Sequence, residues 1–496
     1  MGRWHNAGAV GPAPEDVPPT CPDHDVDLHL TLDPGRPVTR QIFEQIRDAV
    51  LNGRLRAGEA LPSSRSLAAE LGVSRTTVLA AVDHLMAEGY LSARAGVGTY
   101  VSQDVQGVER PWTRPSALRP LPWWTEESWG VPEESGEAPE FDFGTGVPDP
   151  SRFPFATWRR LLDGATQAAA EHGRYADPQG VPALRRSLAR HLAVSRGLRA
   201  SSDDVVVTAG VQQAITLLAQ VLLEPGDLVA VEDPGYPLVR RAFTAAHARV
   251  MPVPVDGDGL AVHLLPAGAK LVYVTPAHHF PLGVRMSLSR RTALLEWARD
   301  SDAAVVEDDY DTDFRYGGRP IDALHSLDRA GRVVYVGSFS KTLLPSLRLG
   351  YCVAPPALRD ALRRARFVTD WHGPVAPQLA LAGFIDEGRL TTHIRRMRRL
   401  YQAKRDRLIE TLDSDFDDVL ARIPSTAGLH LAAWATSDDA DVEGWLRRAA
   451  EHGVAVSAVQ DYAAQPVRPG LVFGFGAIPE GRVAPGLARL RAAIDA

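Results

Sequence analysis

Residues 333–353 decide the fold and read V-V-Y-V-G-S-F-S-K-T-L-L-P-S-L-R-L-G-Y-C-V. The apolar run 333–336 is long enough for a buried strand and stops at a glycine. A short polar turn then delivers Lys341, Arg348 follows seven residues later, and Gly350 opens a second apolar run. This order of strand, polar turn, lysine, arginine and strand indicates a binding site.

Lys341 indicates chemistry that arginine cannot perform. The chain has three lysines among its 54 basic residues, so arginine supplies nearly all of its positive charge. A lysine amine in a partly desolvated pocket can lose its proton and form an imine, whereas a guanidinium cannot. The hydroxyls of Ser338 and Ser340 and the guanidinium of Arg348 would suit a phosphate. For Lys341 taken alone, a solvated lysine at a strand end is the alternative interpretation.

Length and composition set the general class of the protein. A chain of 496 residues with 45% hydrophobic content favours two or three domains. Its net charge of −7 argues against a general binder of polyanions. The two cysteines offer neither a disulfide framework nor a metal cluster. The N-terminus has no apolar core of signal-peptide length, and no apolar run approaches the length of a membrane span. We therefore expect a cytoplasmic protein.

The N-terminal part predicts a winged helix-turn-helix. Residues 1–25 are rich in Gly, Ala and Pro, and we expect a disordered tail. Within the next unit, residues 26–102, short helices are predicted over 65–71 and 75–88. Residues 92–101 then read as a two-stranded wing with a glycine-rich tip. The domain is expected to be mainly α-helical.

The charges of this unit favour DNA binding. From residue 36 to residue 102 the chain carries eight arginines and six acids, so the unit is positive and the remainder is negative. The first turn of the second helix, with Arg75, Thr76 and Thr77, is expected in the major groove, and Arg65 on phosphates. A helix-turn-helix used for packing alone is the alternative.

This unit resembles the GntR family of bacterial regulators. The shared patterns are G-R-L-x-x-G-x-x-L-P-S-S-R-x-L-A at 53–68, L-G-V-S-R-T-T-V at 71–78 and A-E-G-Y-L at 87–91. The resemblance implies DNA contacts from Arg65, Ser74, Arg75, Thr77 and Gly98. Residues 103–140, rich in proline and tryptophan, are expected to form a linker.

From residue 141 to residue 496 the pattern alternates strands and helices. Strands are predicted over 205–208, 228–231, 271–275, 304–307 and 333–336. Such alternation predicts an α/β domain with a mostly parallel, buried sheet, in which ligands gather at the carboxyl ends of the strands.

Polar groups follow successive strands and together specify pyridoxal 5′-phosphate. The turn around Gly210, before a helix, could hold a phosphate, and Tyr236 could stack on a flat ring. Asp308, at a strand end, could pair with a protonated ring nitrogen, with Tyr310 two residues on and Lys341 after the next strand. The adjacent His278 and His279 invite a metal interpretation, but neighbours rarely face one ion and no third ligand is obvious, so no metal site is predicted.

This region resembles the fold-type I aminotransferases, and its fusion to a GntR-like head resembles the MocR/GabR subfamily of regulators. The patterns are Y-x-D-P-x-G at 175–180, V-T-x-G-x-Q-Q-A at 207–214, E-D-P-G-Y at 232–236, T-P-x-H-x-F-P-x-G at 275–283, E-D-D-Y-D at 307–311 and S-K-T-L-x-P-x-L-R-L-G-Y at 340–351. The resemblance implies a large subdomain at about 178–380, a small one at about 385–496, and a homodimer.

The resemblance also implies residue roles. Lys341 forms the imine with the cofactor, Asp308 pairs with the pyridine nitrogen, Tyr310 bonds the phenolic oxygen and Tyr236 stacks on the ring. Tyr175 reaches into the site of a second subunit, and His279 lies beside the ring oxygen. The phosphate is held by Gly210, Val211, Gln212, Ser338, Ser340 and Arg348.

One departure from the family pattern bears on the effector. Aminotransferases, and the 4-aminobutyrate-responsive regulator of this subfamily, clamp the substrate carboxylate with an arginine of the C-terminal domain. The matching segment here, residues 457–462, has none, and Arg468 falls late for that place. We therefore expect a regulator that senses pyridoxal phosphate itself and resembles those controlling vitamin B6 synthesis, with an amine or amino acid as the other effector class.

Two rival interpretations remain. The chain could be a working aminotransferase with a vestigial DNA-binding head, since Lys341, Asp308 and Arg348 permit the chemistry. Alternatively, the second domain could be a dimerising scaffold, but a scaffold needs no Lys341.

Overall fold

The computed structural model describes residues 28–94, 97–105, 119–125, 139–317 and 322–496. The chain divides into two compact units, Met1–Gly130 and Val131–Ala496. The predicted tail, 1–25, and most of the predicted linker lie outside the described residues. Within the described ranges, every helix is too short or too polar to cross a membrane.

The first unit is a winged helix-turn-helix, as predicted. Its elements are α1 (Val38–Leu51), α2 (Ser64–Leu71), α3 (Arg75–Ala87), β1 (Leu91–Arg94) and β2 (Gly98–Val101). The two strands pair antiparallel with Leu91 opposite Val101.

Local sequence fixes the two helix starts of this motif. The side chain of Ser63 accepts a hydrogen bond from the backbone N–H of Ser66, and Ser74 accepts from that of Thr77, so each serine caps a helix. Gly72 ends α2 in the left-handed conformation, with φ of 65°. The three helices pack through a core of buried aliphatic side chains that includes Ile42, Ile46, Val78 and Leu85.

The second unit alternates helices and strands. Its helices are α4 (Phe155–His172), α5 (Pro182–Arg196), α6 (Val211–Leu222), α7 (Pro237–Ala245), α8 (Leu288–Asp300), α9 (Leu324–Leu327), α10 (Arg359–Asp370), α11 (Val375–Asp386), α12 (Arg389–Asp415), α13 (Val442–Glu451) and α14 (Glu480–Asp495). Its strands are β3 (Phe141–Asp142), β4 (Val205–Thr208), β5 (Leu228–Asp233), β6 (Arg249–Asp256), β7 (Gly259–Leu260), β8 (Ala269–Val274), β9 (Ala304–Asp309), β10 (Val333–Ser338), β11 (Gly350–Val353), β12 (Leu420–Arg422), β13 (His430–Ala435), β14 (Val454–Ala455), β15 (Ser457–Ala458) and β16 (Gly470–Gly474).

The main sheet confirms the prediction of a mostly parallel, buried sheet. Eight strands lie in the order β4-β11-β10-β9-β8-β5-β6-β7. The strands from β10 to β6 pair in parallel, whereas β11 is antiparallel to both β10 and β4. Because Val336 of β10 lies opposite Asp308 of β9, the turn after β10 and the acids that end β9 meet at the same edge of the sheet.

The stretch 333–353 forms two neighbouring strands of this sheet, with the lysine in the turn between them. Ser338 pairs with Gly350 across the turn. A Cβ at position 350 would lie 2.7 Å from the Cα of Gly210. Glycine at position 350 therefore lets the turn that follows β4 approach the turn that carries the lysine.

A second sheet closes the same edge. Its order is β12-β13-β16-β15, and α12, α13 and α14 pack with it around a core that includes Tyr401, Phe416, Phe473 and Phe475. His430, the first residue of β13, lines a cavity together with residues from the carboxyl ends of the main sheet.

Candidate functional site

A cavity of about 290 Å³ lies at the carboxyl edge of the main sheet. Its walls include nine of the residues that the sequence proposed for the cofactor, namely Val211, Gln212, Tyr236, Asp308, Tyr310, Ser338, Ser340, Lys341 and Arg348. Further lining residues that the sequence reasoning missed include Thr145, Gly146, Tyr273, Phe280, Asp311 and His430. The cavity therefore brings together groups from the ends of β9 and β10, the start of α6 and the start of β13.

Lys341 projects from the turn after β10 into an environment that favours its neutral form. Burial lowers the pKa of Lys341, and the carboxylates of Asp311 and Asp308 oppose that shift. A Cβ at position 146 would lie 2.7 Å from Nζ of Lys341, and Gly146 has a φ of 79°. The backbone at Gly146 therefore passes directly beside the amine, which is available for reaction with an aldehyde.

Asp308 is the penultimate residue of β9, and only one of its two carboxylate oxygens has a hydrogen-bond partner among the described residues. Tyr273 donates a hydrogen bond of 2.5 Å to Oδ2, while Oδ1 is buried and has no hydrogen-bond partner in the described part of the chain. Burial raises the pKa of Asp308 to about 7, and the hydrogen bond from Tyr273 opposes that shift. A buried carboxylate oxygen without a donor fits a ligand that brings a positively charged N–H, such as the ring nitrogen of pyridoxal phosphate.

Two turns in the cavity wall, one before α6 and one after β10, provide groups that suit an anion. The first N–H groups of the twelve-residue helix α6 come directly after Gly210, whose φ is 94°. A Cβ at Gly210 would lie 3.2 Å from Nη2 of Arg348, so glycine leaves room for the guanidinium. The hydroxyl of Ser338 donates to that of Ser340 over 2.9 Å. These donors and the Arg348 charge suit a phosphate.

Tyr310 contacts a hydrogen-bond cluster around His278. The hydroxyl of Tyr310 lies 3.2 Å from Nδ1 of His278, and Oδ1 of Asp311 lies 2.9 Å from the same nitrogen. The donor atoms of His278, Asp311 and His430 all lie within 4.8 Å of one another. Two further possible donors thus lie beside His278, where the sequence shows no obvious third ligand, and the expectation of no metal site stays a prediction. Asp311 and His430 are distant in sequence, so spacing could not reveal them.

His279 does not line the cavity. Its side chain is buried, and Nε2 lies 3.8 Å from Oε2 of Glu232. Burial lowers the pKa of His279 to about 3, and burial raises that of Glu232 to about 8. The next residue, Phe280, lines the cavity and packs edge-on against Tyr236, with ring centroids 5.9 Å apart. The position beside the ring oxygen that the resemblance implied for His279 is thus not the one it occupies.

Tyr175 lies on the surface, apart from the cavity of its own chain. It is 72% exposed and stacks on Trp371 with ring centroids 4.2 Å apart. An exposed tyrosine is compatible with the expected reach into a second subunit, which stays a prediction.

Arg468 is held away from the cavity. Its guanidinium donates to the carbonyl of Ala435 over 2.8 Å and lies 3.3 Å from the carboxylate of Asp438. Residues 457–462, which match the segment that carries the carboxylate clamp in aminotransferases, include Tyr462. The hydroxyl of Tyr462 lies 3.3 Å from that of Thr145, a residue that lines the cavity. Among the described residues that line the cavity, Arg348 is the one arginine.

The predicted DNA contacts gather at the exposed start of α3. Ser74, Arg75 and Thr76 are exposed, and the Ser74 hydroxyl lies 2.7 Å from the hydroxyls of both Thr76 and Thr77. Arg75 donates to Ser64 over 3.2 Å, which places it beside the start of α2.

The other two predicted contacts also lie on the surface. Arg65 is exposed in the first turn of α2, and Gly98 is exposed at the start of β2. The structure therefore presents both helix starts and the wing to a ligand.

Comparisons with known proteins agree with this division. Residues 38–101 match the bacterial regulatory proteins of the gntR family, and residues 140–469 match aminotransferase class I and II. The chain is 35% identical to the probable rhizopine catabolism regulatory protein MocR of Rhizobium meliloti, over 94% of this chain and 95% of that protein. It is 34% identical to the HTH-type pyridoxine biosynthesis transcriptional regulator PdxR of Corynebacterium glutamicum, over 92% of this chain and 96% of that protein.

Solved structures resemble the C-terminal unit. A kynurenine aminotransferase of Pyrococcus horikoshii, solved with PMP, is 31% identical and superposes with a TM-score of 0.67, covering 72% of this chain and 90% of that one. Aminotransferases of class I and II are a family dependent on pyridoxal phosphate, and residues 140–469 of this chain match that family.

The hydrogen bond from Tyr273 to Asp308 generates a prediction with a pH dependence. In Tyr273→Phe the pKa of Asp308, already about 7, rises further because a donor to its charged form is lost. Less carboxylate is then present near neutral pH to pair with a ring nitrogen. We expect affinity for pyridoxal phosphate to fall about tenfold near pH 6.5 and clearly less near pH 9.

Tyr335→Phe provides the matched control, because Tyr335 donates to the neighbouring Asp309 and does not line the cavity. Affinity is measured by fluorescence titration at both pH values. Equal losses at the two pH values, or an equal loss in Tyr335→Phe, would contradict the assignment of Asp308.

Proposed function

The chain belongs to the MocR type of GntR-family transcriptional regulators, and on that premise we propose that its C-terminal unit binds pyridoxal 5′-phosphate and thereby alters how its N-terminal unit binds DNA. One observation carries the cofactor assignment. The unpaired, buried oxygen of Asp308 shares a cavity with the amine of Lys341 and the guanidinium of Arg348. A ligand with a protonated ring nitrogen, an aldehyde and a phosphate would satisfy all three groups.

Each lining residue then has a proposed role. Pyridoxal phosphate supplies an aldehyde that condenses with an amine, and Lys341 is the amine that would hold it. Asp308 would keep a proton on the ring nitrogen, Tyr310 would donate to the phenolic oxygen, and Tyr236 would cover one face of the ring. The phosphate would lie against Ser338, Ser340, Arg348 and the N–H groups that follow Gly210.

We assign the cofactor itself as the first effector. The similarity to a pyridoxine biosynthesis regulator over nearly the whole chain supports this choice. The position of Arg468, bonded to Ala435 and Asp438, supports it further, because a carboxylate-bearing effector needs a cationic partner. The regulated genes would then belong to vitamin B6 synthesis. An amine or amino acid remains the alternative effector.

We further propose a cytoplasmic homodimer on operator DNA. The exposed Tyr175–Trp371 stack supports the dimer, because the family resemblance implies that Tyr175 reaches into the site of a second subunit. A homodimer would present two copies of α3, as a two-fold symmetric operator requires. We take the dimer to have one arrangement that binds the operator well and one that binds it poorly. The cofactor can change DNA affinity only to the extent that it binds one of these arrangements more tightly than the other.

A working aminotransferase is the less favoured function. Similarity to the regulators extends over more than nine-tenths of the chain, whereas similarity to Aromatic-amino-acid aminotransferase 1 of Thermococcus litoralis covers 70% of it. The capped and exposed start of α3 also argues for a functional DNA-binding unit.

The assignment of Lys341 predicts a spectroscopic result. Purified protein mixed with pyridoxal phosphate is expected to develop the visible absorbance band of a cofactor joined to a lysine, because Lys341 is buried beside its charge partners. Lys341→Ala is expected to lack that band. Lys270→Ala is the control, because Lys270 is exposed and lies outside the cavity. Lys404 is unsuitable for this purpose, because it is buried and paired with Asp149. A band of equal intensity in Lys341→Ala would refute the assignment.

The start of α3 predicts the effect of removing one arginine. Arg75→Ala is expected to weaken binding to upstream operator DNA by at least about tenfold, because an exposed arginine at this position reaches base edges or phosphates. Arg40→Ala is the control, since Arg40 is already paired with Glu44 on α1. The measurement is fluorescence anisotropy at fixed salt, and equal affinities for the two variants would contradict the proposed DNA-binding surface.

A further inference from the structure

His278 lies at the centre of a buried hydrogen-bond cluster to which sequence reasoning assigned no role. Its ring is 2% exposed, and both ring nitrogens have partners. Nδ1 lies 2.9 Å from Oδ1 of Asp311, and Nε2 lies 3.1 Å from Oγ of Ser425. The partners of these two nitrogens determine where the protons of the ring are.

The partners of Nδ1 fix the hydrogen on that side of the His278 ring. On the other side, Nε2 lies 3.1 Å from the hydroxyl of Ser425, which is also 3.3 Å from the carbonyl of Ala427. The carboxylate of Asp311 is an acceptor, and its other oxygen already accepts from the backbone N–H of Leu429 over 3.2 Å. A carboxylate can only accept, so Nδ1 carries a hydrogen and donates it to Asp311.

This arrangement restricts the hydroxyl of Tyr310. The Tyr310 oxygen lies 3.2 Å from Nδ1, which already carries a hydrogen, so the oxygen can only accept there. The hydrogen of the same hydroxyl must point elsewhere, and Tyr310 lines the cavity. Burial and the nearby carboxylates of Asp311 and Asp308 raise the pKa of Tyr310 well above its usual value, so the hydroxyl keeps its hydrogen.

The His278 ring has little freedom to turn. A side chain at Gly428 would overlap Cε1 of His278, and Gly428 has a φ of 83°, so the chain passes against the ring. The ring of His430 lies 4.7 Å away, centroid to centroid. The ionisable groups that face His278 are thus Tyr310 and Asp311 from the turn after β9, His430 from β13, and the adjacent His279.

We propose that His278 is a positioning residue, held by Asp311 and Ser425, that directs the hydroxyl hydrogen of Tyr310 into the cavity toward the phenolic oxygen of the bound cofactor. This inference rests on the proposed function, because it requires pyridoxal phosphate in the cavity.

The test is the pH dependence of the visible band of the cofactor-loaded protein. A hydrogen bond from Tyr310 stabilises negative charge on the phenolic oxygen, so its loss lets the Lys341 nitrogen hold its proton to higher pH. The midpoint is the pH at which half of the visible band has changed. In His278→Gln this midpoint is expected to move upward by about one pH unit, which is the shift expected when a charge-assisted hydrogen bond is weakened. Ser425→Ala should shift it in the same direction by less. In Tyr310→Phe the upward shift of the midpoint should be at least as large as in His278→Gln.

A double variant separates positioning from general disturbance. If His278 acts through Tyr310, adding His278→Gln to Tyr310→Phe should move the midpoint no further. His325→Gln serves as control, since His325 is a partly buried histidine that does not line the cavity. Thermal unfolding checks that each variant is folded, and Ser425→Ala answers the question if His278→Gln does not fold.

Three results would overturn the inference. The first is a midpoint unchanged in both His278→Gln and Ser425→Ala, and the second is a double variant in which the two shifts add. In both cases the wild-type band would still support the proposed function. The third is the absence of a visible band in the wild-type protein, which would refute the proposed function and this inference with it.

Discussion

A half-paired, buried carboxylate at the end of β9 is the constraint on which the C-terminal unit depends. Asp308 is 4% exposed, and one of its oxygens has no donor among the described residues. An unpaired charge in such a place is costly, and part of that cost is avoided by the raised pKa. A ligand that brings a positively charged N–H can donate to the free oxygen of Asp308 and so remove the remaining cost. The burial of this carboxylate therefore favours binding of that class of ligand.

The neighbouring acids show that this arrangement is specific to Asp308. Glu307 accepts hydrogen bonds of 2.8 Å from the backbone N–H groups of Leu324 and His325. Asp309 pairs with Arg196 over 2.6 Å. Because side chains alternate along a strand, Glu307 and Asp309 face away from Asp308 and find their partners on the other side of the sheet. Of this run of three acids, Asp308 faces the cavity.

Much of this site could be predicted from the sequence because its groups come directly after buried strands. Asp308, Lys341 and Arg348 lie within a few residues of β9, β10 or β11, and parallel pairing brings those strand ends together. Local signals also predicted the starts of α2 and α3 to within one residue, because the serine that caps each helix bonds a backbone N–H only three residues on.

The parts that could not be predicted depend on long-range packing. Ser425 is 147 residues from His278, so no spacing rule connects them. The resemblance predicts a cofactor contact for His279, but its Nε2 lies 3.8 Å from the carboxylate of Glu232. The side chain of His278 belongs to the hydrogen-bond cluster, and Phe280 lines the cavity. Adjacent residues in an extended turn face different ways, and the sequence did not indicate which of them faces the ligand.

The measurement that tests the account most directly is the affinity of the full-length protein for its own upstream DNA, titrated with and without pyridoxal phosphate at fixed salt and without any added amine. The account predicts that the cofactor alone changes this affinity. An affinity that the cofactor leaves unchanged, and that responds only when an amine is added, would contradict it.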